Sequence, residues 1–129
     1  YVVISRMVKD LNFPVEIRKV PIVREQDGLA LSSRNRYLDK EERKAATVLY
    51  RSLNRGKELI EKGERDAGKI KNIMTDMIKE EKPTRIDYVS IADPDNLQPV
   101  DTIKDSVLLA EAVFIGDTRL IDNMLIDLN

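Results

Sequence analysis

The sequence predicts an α+β fold in which a helical hairpin packs on a small antiparallel sheet. Two segments with helical apolar spacing, joined by "GERD", predict the hairpin. Strand-like segments separated by short turns fill the last third and predict the sheet. Ahead of both, a helix followed by a β-branched run reads as the tail of an α/β unit whose earlier part is missing.

The elements follow in order. In "YVVISRMVKDLN", Ile4, Met7, Val8 and Leu11 recur at helical spacing and predict a core-facing helix, ended by Asn12 and Pro14. "VEIRKVPIV" predicts a strand over 15–23, with Pro21 favouring an edge or a strand end. "QDGLALSSRN" is a loop turning at Asp27-Gly28. Asp39 stands three residues before Glu42, the spacing of a capping box. Ala45, Ala46, Leu49, Leu53, Leu59 and Ile60 then carry one apolar face, and Gly63 stops the helix. Asp66 caps a second helix with Ile70, Ile73, Met74, Met77 and Ile78 inward, and Pro83 forbids much continuation. "RIDYVSI" alternates as a strand, "DPDN" turns, and "SVLLAEAVFIG" is a more buried strand. "TRLIDNMLIDL" closes the chain as a further strand after a turn. Glu111, inside the apolar run, is expected to reach solvent or a basic partner.

Composition narrows the functional classes. The 129 residues suffice for one domain, or one domain plus part of another. The 22 basic residues nearly balance the 23 acidic ones, and a net charge of -1 gives no field for steering nucleic acid or anionic lipid. No apolar run is long enough for a membrane span, and no signal peptide is recognisable, so the cytoplasm is the expected compartment. Without cysteine there is no disulfide or thiolate metal site, and without histidine there is no imidazole base or ligand. Tyr1 in place of methionine, with "YVVI" already amphipathic, predicts a start inside a larger protein.

Four motifs compete for a function. "GERDAGKI" has the glycine and lysine spacing of a phosphate-binding loop. It follows a helix rather than a strand, carries Glu64 and Asp66, and ends in Ile70 without a hydroxyl, so it reads as a helix junction. "DPDNLQPVD" lacks the sixth-position glycine of a calcium loop and has Lys104 where a glutamate would close it, so it reads as a turn. Arg34, Arg36, Lys40, Arg43 and Lys44 cluster, but Asp39, Glu41 and Glu42 lie among them and only Tyr37 could stack a base; a solvated helix face results. In "DGLALSSRN", Ser32 and Ser33 offer hydroxyl donors and Arg34 a planar fork suited to phosphate. Amides at a following helix start would add positive character. Read from the residues alone, this stretch is open to both a plain surface loop and a phosphate loop.

"PIVREQDGLALSSRNRYLDKEER", following "RMVKDLNFPVEI", resembles the signature stretch of the pantothenate synthetase (pantoate–β-alanine ligase) family. "GERDAGKI", "IDYVSIADPDNLQPV" and "IGDTRLIDN" resemble family segments in the same order, so the resemblance runs from Met7 to Asn123. It implies a class I nucleotidyltransferase relative that joins pantoate to β-alanine with ATP and magnesium, through a pantoyl adenylate. It also implies a division of the chain. Residues 1–23 would end a Rossmann-like nucleotide-binding domain, and 24–129 would form a C-terminal lid.

By the same resemblance Ser32, Ser33 and Arg34 are the catalytic loop, equivalent to the superfamily's KMSKS loop, and bind ATP phosphates. Val23 would offer backbone bonds to adenine and Leu31 would pack against the base. Arg119 and Asp122 would hold the C-terminal sheet together, as a structural ion pair. No metal ligand is assigned. The family's histidine motif H-x-G-H, its pantoate-binding glutamines and its lysine–aspartate segment have no counterpart here. The implied partners are therefore the substrates, the chain's own N-terminal domain and, in the full-length enzyme, a second copy. Magnesium would be held mainly by that N-terminal part. Neither nucleic acid nor membrane is expected, and the chain alone is expected to be inactive. The alternative is an interaction domain that keeps the lid fold without chemistry.

Overall fold

The computed structural model describes residues 1–82 and 84–128. Pro83, expected to end the second hairpin helix, lies outside the described residues. The element order is α1 (Val2–Asp10), a 3-10 turn (Ser33–Tyr37), α2 (Lys40–Ala45), α3 (Val48–Glu61), α4 (Ala67–Glu80), β1 (Thr84–Ala92), β2 (Val107–Ile115) and β3 (Thr118–Ile126). The strands form one antiparallel sheet in the order β1-β2-β3.

The hairpin forms as its spacing predicts. Asp39 accepts the amides of Glu41 and Glu42, and Glu42 Oε2 accepts the Asp39 amide at 3.0 Å, completing the capping box. The single helix expected from Lys40 onward is nevertheless two. At Ala46–Thr47 the bonds tighten to three-residue steps: Thr47 N–H donates to Lys44 O at 3.2 Å and Leu49 N–H to Ala46 O at 3.3 Å. The Thr47 hydroxyl also donates to the Lys44 carbonyl, a local bond that competes with the regular ladder. Gly63 ends α3 at φ 97°, where a side chain is strained, and Asp66 caps α4 by accepting the Lys69 amide at 2.9 Å.

α3 and α4 bury Leu49, Leu53, Ile60, Ile70, Met74 and Ile78 against the inward face of the sheet. Gly56 permits the closest approach, because a Cβ there would meet Leu109 Cδ1 at 2.8 Å and Met74 Sδ at 2.9 Å. Along β2 the inward set is Val107, Leu109, Glu111, Val113 and Ile115. A bulge between Ile86 and Tyr88 changes the inward set of β1 from Ile86 to Val89 and Ile91, so the alternation read in "RIDYVSI" is interrupted once.

The opening segment departs from expectation. α1 forms, but none of its residues is buried, and Ile4, Met7 and Leu11 are exposed. Residues 15–23 form no strand, since among the described residues no neighbour is placed to complete their ladder. Val15, Val20, Ile22 and Val23 are exposed as well. The core begins at Leu29 and runs to Ile126.

Candidate functional site

The Asp27-Gly28 turn closes a short hairpin. Arg24 bridges Ala30, Glu25 N–H donates to Leu29 O at 2.8 Å, and Leu31 N–H donates to Val23 O at 2.9 Å. Gly28 sits at φ 92°, and a Cβ there would stand 1.9 Å from the Tyr50 ring, so both backbone and space require glycine. This hairpin delivers the chain into the 3-10 turn that carries the serines and the arginine.

Around the turn, nearly every charge is committed to holding the loop. Arg43 bridges Glu25 Oε2 at 2.8 Å and Asp27 Oδ2 at 2.7 Å. Asn35 Nδ2 donates to Glu25 Oε1 at 2.8 Å and to the Ala30 carbonyl at 3.1 Å. These hydrogen bonds, first from Arg43 and then from Asn35, hold the Glu25 carboxyl below its ordinary range; Arg43 does the same for Asp27. Arg24 forks onto Asp122, with Nη1 to Oδ2 at 2.6 Å and Nη2 to Oδ1 at 3.0 Å.

Arg34 is the exception. Among the described residues its guanidinium has no hydrogen bond, ion pair or ring contact, and neither has the Ser33 hydroxyl. Every other arginine has a partner: Arg6, Arg18, Arg43, Arg51, Arg55 and Arg119 on carboxylates, Arg24 on Asp122, Arg36 on Tyr37, Arg65 on main-chain carbonyls and Arg85 on the Phe114 ring. Of the five basic residues clustered in sequence, Arg36, Arg43 and Lys44 are thus engaged within the protein.

Ser32 Oγ accepts the Arg34 amide at 3.2 Å and so uses one of the amides expected to face an anion, while its O–H can still donate. The Val23 carbonyl accepts the Leu31 amide, and among the described residues the Val23 N–H has no hydrogen bond. The Leu31 side chain is 65% exposed. Ile22, Leu31, Ser32, Arg34, Asn35 and Arg119 line a cleft of about 330 Å³ between this loop and β3. Ser32, Arg34 and Leu31 are thereby brought together, whereas Val23 and Ser33 are not among its lining residues.

Arg119 and Asp122 do not pair with each other. They are three residues apart on β3 and face opposite sides of the sheet; Arg119 reaches Asp87 of β1 at 2.7 Å, and Asp122 takes Arg24. The expected pair is therefore absent: Arg119 ties β3 to β1 within the sheet, whereas Asp122 ties β3 to the hairpin through Arg24. Glu111 meets neither solvent nor a cation. It is fully buried, accepts the Ser52 hydroxyl at 2.8 Å, and burial pushes its carboxyl up to about 8. In "GERDAGKI", Lys69 pairs with Glu64, whose carboxyl drops to about 2 mainly through that bond, so the lysine is engaged at the helix junction. Asp93 accepts the amides of Asp95 and Asn96, a turn as read.

The family model described as pantoate-beta-alanine ligase matches residues 1–125. The chain belongs to the pantoate–β-alanine ligase family. It is 57% identical over 125 residues to a pantothenate synthetase of Caldicellulosiruptor saccharolyticus, covering 97% of this chain and 44% of the relative. A Moorella thermoacetica pantothenate synthetase is 54% identical over 127 residues. The chain thus spans less than half the length of these relatives. The fold is similar to that of Thermus thermophilus pantothenate synthetase, with a TM-score of 0.89 at 41% identity, over 95% of this chain and 44% of that one. A Francisella tularensis pantoate-beta-alanine ligase, solved in complex with beta-gamma ATP and beta-alanine, matches at a TM-score of 0.54 and 25% identity, over 95% of this chain and 38% of that one. Among the described residues no helix is long and apolar enough to cross a membrane, and no cluster of three or more His, Cys, Asp or Glu could hold a metal.

Sequence reasoning missed Arg24, Glu25, Asn35 and Arg43, the residues that hold the loop. No local pattern marks them: the Arg24 partner lies 98 positions away and the Arg43 partners 16 and 18.

Proposed function

We propose that this chain supplies the lid and the second phosphate loop of an enzyme that joins pantoate to β-alanine at the expense of ATP. Residues 1–23 belong to the end of the nucleotide-binding domain, and 24–129 form the lid. The observation that carries this reading is the contrast at the loop: among the described residues Arg34 alone of the arginines has no protein partner, while Arg24, Asn35 and Arg43 around it are tied down. A rigid frame that leaves one guanidinium uncommitted suits a group reserved for an outside anion.

In the reaction, a pantoate carboxylate oxygen attacks the α-phosphorus of ATP and pyrophosphate leaves; the β-alanine amine then displaces AMP from the acyl carbon. Charge builds on the departing phosphates in the first step. Donors from Ser32, Ser33 and Arg34 aimed there stabilise that charge without reorganising. Leu31 packs against the base and Val23 bonds it through the main chain. Magnesium enters with ATP as the substrate complex, and we assign its ligands, the pantoate site and the dimer contact to the portion of the family that precedes this chain. A ligand complex of a relative with ATP and β-alanine supports the substrate class.

The test is Ser33→Ala combined with Arg34→Ala in the full-length enzyme. Pantoate-dependent ATP–pyrophosphate exchange should fall at least about tenfold, the equivalent of ~1.4 kcal/mol of transition-state stabilisation. An unchanged exchange rate rejects the assignment.

A further inference from the structure

Arg24 stands at the foot of the hairpin that leads into the serine–arginine loop. Its guanidinium makes three hydrogen bonds: two form the fork on Asp122, and Nη1 also donates to the Gly28 carbonyl at 2.9 Å. The Tyr50 ring covers one face of the cation, 4.4 Å from its centre. The pair is well screened from water, with side-chain exposures of 19% for Arg24 and 1% for Asp122. Gly28 is fixed against the same Tyr50 ring, so ring, guanidinium and hairpin tip are packed as one unit. Asp122 is itself oriented, its Oδ1 accepting the Asn123 amide at 2.8 Å.

We propose that Arg24 is a positioning residue for the loop Ser32–Arg34: its fork onto Asp122 sets where the hairpin stands on β3, and so where Ser33 and Arg34 meet the departing phosphates. The inference rests on the phosphate-loop reading above. The geometry makes the fork specific to arginine. A planar guanidinium can match both carboxylate oxygens, turn a third N–H to the Gly28 carbonyl and still lie flat on Tyr50; an ammonium has no such plane. The loop has few other ties to β3. Arg43 and Asn35 brace it internally and to α2, through Glu25, Asp27 and Ala30, and none of these bonds reaches the sheet. Among the described residues the Arg24 fork is the hydrogen-bonded tie of this hairpin to β3, beside the apolar anchoring of Leu29 in the core. The inward neighbour of Asp122 across the ladder is Glu111, whose carboxyl burial pushes up to about 8.

A shift of the fork would misplace donors meant for the transition state, and misplacements near 1 Å cost roughly a hundredfold in rate. The experiment separates positioning from simple stability by splitting the two half-reactions in the full-length enzyme. Arg24→Gln, Arg24→Lys and the near-isosteric Asp122→Asn are compared with the unmodified protein. Adenylation is followed by ATP–pyrophosphate exchange with pantoate, and the second step by single-turnover consumption of preformed adenylate with β-alanine. Arg24→Gln and Asp122→Asn should slow exchange about tenfold or more, with the second step within about twofold and only partial recovery in Arg24→Lys.

Equal slowing of both steps in the folded variants, unchanged exchange, or full recovery with lysine would overturn the proposal. Should Arg24→Gln fail to fold, Asp122→Asn gives the same readout with the carboxylate's shape retained. Ser33→Ala with Arg34→Ala is the internal reference. If it leaves exchange intact, the phosphate-loop reading fails; if it slows exchange while the Arg24 and Asp122 variants do not, only the positioning role fails.

Discussion

Glu111 shows how much a single side chain can disclose. It lies on the inward face of β2, opposite Asp122, with the Ser52 hydroxyl on Oε2 and no partner for Oε1 among the described residues. Desolvation raises its pKa from 4.5 to about 8, Asp122 adds to the rise, and the Ser52 bond opposes it. The sign of the pH effect follows. Between about 4.5 and 8 the unfolded chain releases a proton that the folded chain keeps, so the stability contribution is full below the lower value and drains as pH rises to the upper one. Glu111→Gln keeps a neutral acceptor for Ser52 and removes the titration. Its urea midpoint, measured at several pH values from 5 to 9, should fall less with rising pH than that of the unmodified protein, with a relative gain of roughly 2–4 kcal/mol across the range. Parallel pH profiles would show that Glu111 is ionised in the folded state. The sequence expectation of a solvent or cation partner failed here because burial in a helix-covered sheet leaves another route, protonation.

At the scale of elements, the pieces that rest on local periodicity and capping are the ones the sequence discloses. The α3–α4 hairpin, both aspartate caps and the stop at Gly63 stand where "DKEE" and "GERD" place them. Asp66→Ala removes the acceptor for the Lys69 amide and should cost about 1 kcal/mol, read as a lower urea midpoint with an unchanged slope. No change in the midpoint would mean that the helix start is held otherwise, for instance by the Ala67 amide on the Asp101 carbonyl. The interruption at Thr47 escaped the pattern because apolar spacing runs through it; only the hydroxyl's bond to the Lys44 carbonyl and the tightened turn mark it. The strand expected over 15–23 failed for the converse reason. β-branched residues favour a pleated surface only when a neighbouring strand supplies the ladder. "SSRN" offers Ser32, Ser33 and Arg34 only as candidate donors, whereas the frame around them depends on contacts from Arg24 to Asp122 and from Arg43 to Glu25, which no local reading shows.

For the whole molecule, the shared core starts at Leu29, a few residues beyond the boundary that the resemblance implies between residues 23 and 24. Leu29 through Ile126 share one core, while Val3 at 70% and Val20 at 76% exposure typify an opening segment that contributes nothing to it. In the proposed reading this segment meets the preceding portion of the enzyme, and the uncommitted Arg34 completes a site whose other half lies there. The most direct measurement is AMP release from ATP, pantoate, β-alanine and magnesium, made with this chain alone, with the preceding portion alone, and with the two combined. Release is expected only in the combination, and should be lost when Ser33 and Arg34 are replaced by alanine. Release by the preceding portion alone at the rate of the combination, or a combination indifferent to the loss of Ser33 and Arg34, would contradict that reading.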